Sequence, residues 1–122
     1  MKQLTKAEEE VMQVLWEKER AFVNDILGEF PEPKPAYNTV STIIRILEKK
    51  GFVSHKAYGK TYEYFPVIKK DEYRKKFLSS FLDRYFGNSY RSLVSHLAED
   101  KKINVKDLEE ILELIKKEAN DG

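Results

Sequence analysis

Three observations predict a mainly α-helical chain with a small β-hairpin: a winged helix-turn-helix followed by a helical dimerisation region. Apolar residues recur at helical spacing in three successive segments before Gly51. Two runs rich in β-branched and aromatic residues then flank Tyr58-Gly59-Lys60. From Asp71 onward the helical pattern returns, now crowded with large apolar side chains. The boundaries that follow are 1–70 for the winged unit and 71–122 for the helical unit.

The first helix starts at Leu4-Thr5-Lys6-Ala7-Glu8, where Thr5 is placed as N-cap and Glu8, three residues on, closes a capping box. Ala7, Val11 and Leu15, with Met12 and Trp16 beside them, carry it to about Lys18. A second apolar set, Val23, Ile26, Leu27 and Phe30, gives a short helix that must stop before Pro31-Glu32-Pro33-Lys34-Pro35. Val40, Ile43, Ile44 and Leu47 then mark the buried face of a third helix. Lys49-Lys50-Gly51 ends it, with cations at the negative end of the dipole and glycine for a left-handed turn. Phe52 to Ala57 and Thr61 to Val67 read as the hairpin. In the second half, Tyr73, Phe77, Phe81 and Tyr85 form an i+4 stripe, with Leu78, Leu82 and Phe86 beside it, broken at Gly87-Asn88. Tyr90, Leu93, Val94, Leu97 and Ala98 give another helix, and Asn104 caps a last one bearing Val105, Leu108, Ile111, Leu112 and Ile115.

The chain has 122 residues, 41% of them hydrophobic and 35% charged, enough to bury a core without staples. It has no cysteine, which excludes disulfides and thiolate metal sites. No stretch approaches the roughly 20 apolar residues that span a bilayer, and the opening residues are dense in charge, so the expected location is cytoplasmic. The net charge of +1 hides segregation: residues 34–70 carry Lys34, Arg45, Lys49, Lys50, Lys56, Lys60, Lys69 and Lys70 against only Glu48 and Glu63. A cationic segment in a near-neutral chain is either a footprint for a polyanion or a well-solvated lysine surface.

Its position favours the polyanion. Opposite the buried side of the third helix, the spacing places Asn38, Ser41, Thr42, Arg45 and Lys49 on one face, with Thr39 near its N-terminus. Asn and Arg make paired hydrogen bonds to adenine and guanine edges, hydroxyls bond phosphate or base, and a threonine methyl meets the thymine methyl. The hairpin adds Lys56, Tyr58 and Lys60 at its tip, suited to phosphate contacts that position the protein without reading sequence. Tyr62, Tyr64 and Phe65 read mainly as packing residues of the hairpin.

His55 and His96 stand alone, with no HxxxH or HExxH pattern, so neither a metal nor any other cofactor is expected. The acidic runs, Glu8-Glu9-Glu10 and Asp107 to Glu110, read as solvated helix faces, and no nucleophile has a candidate base. No enzyme is expected. The surplus of large apolar groups after residue 70 exceeds what short helices hide alone, which points to a symmetric homodimer sharing Phe77, Phe81, Tyr85, Leu93, Leu97, Leu108, Ile111, Leu112 and Ile115. Three functions fit these residues: a dimeric repressor on a palindromic double-stranded DNA operator, a ligand-sensing winged-helix regulator, or a winged-helix protein-interaction module without DNA binding.

The segments Leu4-Thr5-Lys6-Ala7-Glu8, Val11-Met12-Gln13-Val14-Leu15-Trp16, Asn38-Thr39-Val40-Ser41-Thr42 and Leu47-Glu48-Lys49-Lys50-Gly51-Phe52-Val53 resemble the BlaI/MecI/CopY penicillinase repressor family over nearly the whole chain. The resemblance implies a homodimeric repressor, linked to antibiotic resistance, that binds a dyad-symmetric operator and dimerises through its C-terminal helices. Copper-responsive members use a cysteine-rich metal motif, which this chain lacks. In β-lactam-responsive members a membrane-bound sensor metalloprotease triggers cleavage at an Asn-Phe bond, and loss of the dimer relieves repression. Here the corresponding stretch is Ser92-Leu93-Val94-Ser95-His96-Leu97-Ala98, without an Asn-Phe pair, and the resemblance puts the candidate bond between His96 and Leu97. Members commonly carry arginine just before the helix-ending leucine; here Ile46 precedes Leu47 and the arginine is Arg45.

Overall fold

A computed structural model describes residues 3–100, 104–110, 112 and 113. The elements run α1 (Lys6–Lys18), α2 (Val23–Gly28), α3 (Tyr37–Lys49), β1 (Val53–Tyr58), β2 (Thr61–Pro66), α4 (Lys70–Phe86) and α5 (Tyr90–Glu99). Three helices followed by an antiparallel hairpin make the winged helix-turn-helix. The chain divides into two compact units, Met1–Phe77 and Leu78–Gly122.

In the first unit, the capping box forms as the sequence predicts. Thr5 N–H donates to Glu8 Oε1 at 2.8 Å and Glu8 N–H donates to Thr5 Oγ1 at 3.2 Å. Glu8, however, is not on a solvated face. It is buried, and Lys50 Nζ donates to its two carboxylate oxygens at 2.7 and 2.8 Å. Burial pushes the Glu8 carboxyl up, but the hydrogen bonds from Lys50 and Thr5 and the Lys50 charge outweigh it and hold the group below its ordinary range. The first of the three glutamates thus ties the start of α1 to the end of α3.

Val11, Met12 and Leu15 of α1, Ile26 of α2, and Val40, Ile44 and Leu47 of α3 interlock around Phe52 as the core. Phe52 reaches it because α3 ends in a Schellman turn: Phe52 N–H donates to Leu47 O and Gly51 N–H to Glu48 O, with Gly51 at φ +86°. Between α1 and α2, Ala21 pairs with Tyr64 through both backbone hydrogen bonds, an isolated antiparallel bridge that adds one residue to the sheet beside β2. The hairpin pairs Tyr58 with Thr61, leaving a two-residue turn with Gly59 at φ +62° in its first position.

Tyr73, expected in the aromatic stripe of the helical region, belongs instead to this core. Its ring lies 5.8 Å from both Trp16 and Phe52, and its hydroxyl accepts from Leu4 N–H at 3.0 Å. Trp16 Nε1–H donates to Ile68 O at 2.9 Å, fixing the approach to α4. Phe77, one helical turn on, keeps its ring 6.2 Å from Tyr73 but is exposed.

In the second unit, Leu82 is fully buried and Phe81 packs near Tyr85 and Phe86. Gly87 and Asn88, at φ +57° and +60°, end α4, and Ser89 Oγ accepts from Ser92 N–H to cap α5. Asn104 caps a further helical stretch over 105–110, its Oδ1 accepting from Asp107 N–H at 2.8 Å. Of the residues assigned to a dimer seam, Phe77, Tyr85 and Leu112 are exposed, and Phe81, Leu93, Leu97 and Leu108 are half-buried. Ile111 and Ile115 lie outside the described residues. The His96–Leu97 bond falls inside α5 rather than in a loop. Among the described residues, no helix is long and apolar enough to cross a membrane.

Candidate nucleic-acid interface

The third helix buries Val40, Ile44 and Leu47 and turns the opposite side outward, because apolar residues at i, i+4 and i+7 define a stripe narrower than half the helix. Asn38, Thr39, Thr42, Arg45 and Lys49 are all exposed, as their spacing predicts. Ser41 is the exception. It is only 7% exposed and sits at the flank of the face, one turn before Arg45, whose Nη2 donates to Ser41 Oγ at 3.0 Å. On a helix turning about 100° per residue, Ser41 lies some 40° outside the arc of Arg45, Asn38 and Lys49, which takes its short side chain out of solvent. Its hydroxyl holds the arginine rather than facing outward.

Lys56 and Tyr58 on β1 and Lys60 in the turn are exposed at the wing tip. Lys56 Nζ stands 5.4 Å from the centre of the Tyr58 ring, which itself meets Phe22 edge-on. Thr61 Oγ1 donates to Tyr58 O, bracing the turn. At the base of the wing, His55 Nδ1 contacts Glu48 Oε2 of α3, and the His55 ring stacks on Tyr62 at 4.1 Å. Tyr64 is buried beneath them, while Tyr62 and Phe65 remain exposed, so the hairpin tyrosines divide between packing and surface. Burial and the nearby Glu48 charge push the Tyr64 phenol above its ordinary range.

Helix and wing meet at an open groove of about 730 Å³, whose lining includes Tyr37, Ser41 and Arg45 of α3, Lys60 and Tyr62 of the hairpin, and Asp25 of α2. Arg45 and Lys60, read from segments fifteen residues apart, therefore border one concavity. Two cations of the basic segment are used internally. Lys50 pairs with Glu8, and Lys34 Nζ donates to the carbonyls of Leu27 and Gly28 at the end of α2. Ile46, which the sequence marks only as a departure from the arginine common in the family, is an exposed apolar residue on the same side of α3. Among the described residues, no group of His, Asp and Glu could hold a metal ion.

A helix whose polar side stands clear of its own core, next to a cationic two-stranded wing, defines a winged-helix DNA-binding protein. The solution structure of the DNA-binding domain of the repressor BlaI is similar to it, with 30% identity and a TM-score of 0.51 over 58% of this chain and 88% of that one. A solved complex of hsRosR-S4 shares the fold at 20% identity, with a TM-score of 0.54 over 82% of this chain and 90% of that chain. The penicillinase repressor family model matches residues 4–117, and the chain belongs to that family. The methicillin resistance regulatory protein MecI of Staphylococcus aureus (strain N315) is 28% identical over 94% of both chains. The penicillinase repressor of Bacillus licheniformis is 26% identical over 97% of this chain and 93% of its own. The protein is a DNA-binding transcriptional repressor and not an enzyme.

Proposed function

We infer that the protein represses as a homodimer, each protomer placing α3 in the major groove of one half of a palindromic operator while its wing follows the phosphate backbone. The observation that carries this is the shared groove: Arg45 and Lys60 border it from helix and wing, with Asn38, Thr39, Thr42 and Lys49 exposed along α3 and Lys56 and Tyr58 on the hairpin. Base-edge contacts from Asn38, Thr42 and Arg45 would set sequence, and Lys49, Lys56 and Lys60 would neutralise phosphates. Tyr85, Tyr90, Val94, Val105 and Leu112 stand exposed in the single chain, which supports the second unit as the seam with another copy. In this reading the reading head, expected over 1–70, runs on through Phe77 to take in Tyr73, and the dimerisation region, expected over 71–122, begins at Leu78, in the cytoplasm where the operator lies.

Two linked heads gain an effective concentration that one head lacks, so separating the C-terminal helices would release the operator. A membrane-bound sensor metalloprotease acting upstream fits this off-switch. Cutting between His96 and Leu97 would first require unwinding α5, since a helical bond is not presented as an extended substrate. The test is a band-shift titration of the full chain against its own upstream region. Saturable binding that weakens steeply with salt and discriminates against unrelated duplex is expected; weak binding indifferent to sequence would overturn the reading.

A further inference from the structure

The exposed side of α3 is not uniformly polar. At about 100° per residue, Asn38, Arg45 and Lys49 fall within roughly 40° of arc and form a row of hydrogen-bonding ends. Thr42, Ile46 and Thr39 fall within about 60° beside them, and each ends in a methyl group. Ile46 is the large member of that second row and is 43% exposed. It adds nothing to the core, which α3 completes with fully buried Val40, Ile44 and Leu47 and with Ile43 packed against them. Scattered apolar residues on a surface need no explanation, but this one stands in register with two threonine methyls, on the face that meets the bases.

Along the base edges of the major groove the C5 methyl of thymine is the one bulky apolar group, and an apolar side chain packs against it favourably. Placing Ile46 opposite a polar base edge would strip water from that edge and return no hydrogen bond. We propose that Ile46 is a specificity-determining residue that packs against a thymine methyl in the operator half-site, with the Thr42 and Thr39 methyls extending the same apolar row. The proposal rests on the reading of α3 as the helix that enters the groove. It adds which base one position of that helix selects, and by what chemistry.

The test begins by selecting preferred duplexes for the full chain from a random library. Each thymine of a selected duplex is then replaced, one at a time, by uracil, which keeps the pairing and lacks only the methyl. At one thymine of the half-site, uracil should weaken binding about four-fold, the worth of roughly one buried methyl-sized group. Ile46→Ala should bind the thymine duplex more weakly and no longer distinguish thymine from uracil there, whereas Ile46→Val should keep the distinction. Ile46 lies outside the core, so unchanged thermal unfolding would show that both variants fold. If uracil is tolerated at every position, or if Ile46→Ala discriminates as the parent does, the proposal is overturned while operator binding stands. Failure to select any preferred duplex would overturn the groove-reading helix itself and the proposal with it.

Discussion

Replacing Lys50 by alanine should destabilise the winged unit far more than the loss of a surface lysine would. The Glu8 side chain is 5% exposed and the Lys50 side chain 21%, and the ammonium meets both carboxylate oxygens within 2.8 Å. Removing one partner of a buried pair costs about 3 to 5 kcal/mol when the remaining charge is sealed from water. Here the hydrogen bond from Thr5 N–H stays with the carboxylate, and the vacated lysine path admits solvent, which brings the expected cost to about 2 to 3 kcal/mol. For a domain of this size that is a fall of roughly 10 to 20 °C in midpoint.

The pH dependence separates this cause from simple loss of packing. Glu8 is held below its ordinary value in the folded chain, so its contribution is fully present above the unfolded carboxylate pKa and is lost as pH falls through the folded one. In Lys50→Ala the burial is no longer offset by the ammonium, and Glu8 takes up its proton more readily. The gap between parent and variant should be widest near pH 7 and narrow as the pH falls toward about 4. Urea denaturation at a series of pH values measures it. A gap under about 0.5 kcal/mol at neutral pH, or one that stays constant with pH, would mean that the Glu8–Lys50 pair does not hold α1 to α3.

Further outcomes follow from other contacts. Tyr73→Phe removes the acceptor of the buried Leu4 N–H and should cost about 1 to 3 kcal/mol by denaturant melting, with little change in the slope. Arg45→Ala should cost about 1 to 3 kcal/mol on the preferred duplex and relax selectivity at one position, whereas Lys60→Ala should weaken all duplexes alike and lower the salt slope by about one, both read by titration at several salt concentrations. Ser41→Ala should leave the fold intact yet blunt the same base preference as Arg45→Ala, because the guanidinium loses its 3.0 Å anchor. A chain ending at Phe77 should melt cooperatively and bind one half-site weakly, while one ending at Lys70 should melt earlier for want of Tyr73.

What could be read from the sequence was local. Thr5 with Glu8, Gly51 after two lysines, and Gly59 in a turn each act within a few residues, and each took the predicted role in the structure. What escaped depended on pairings across the chain. The bond from Glu8 to Lys50 spans 42 residues, and no pattern around Glu8 separates it from Glu9 and Glu10. Ala21 forms a rung of the sheet with a single residue, too short for alternation to signal. Glu19 turns the chain out of α1 at φ +71° without the glycine that would have announced it. In the interface, periodicity placed Asn38, Thr42, Arg45 and Lys49 outward but could not resolve the flank, where Ser41 turned in and Ile46 turned out. An angular offset of one residue's width decides such positions, and only the packed neighbours fix it.

Nuclear magnetic resonance of the isotope-labelled full chain, titrated with a selected operator duplex, reads residue by residue which surface meets DNA. Amide and side-chain shifts should concentrate at Asn38, Thr39, Thr42, Arg45, Ile46 and Lys49 and at the wing residues Lys56 to Lys60, on both copies of a symmetric complex. Shifts gathered on the acidic outer side of α1, with α3 and the wing unmoved, would contradict α3 as the groove-reading helix.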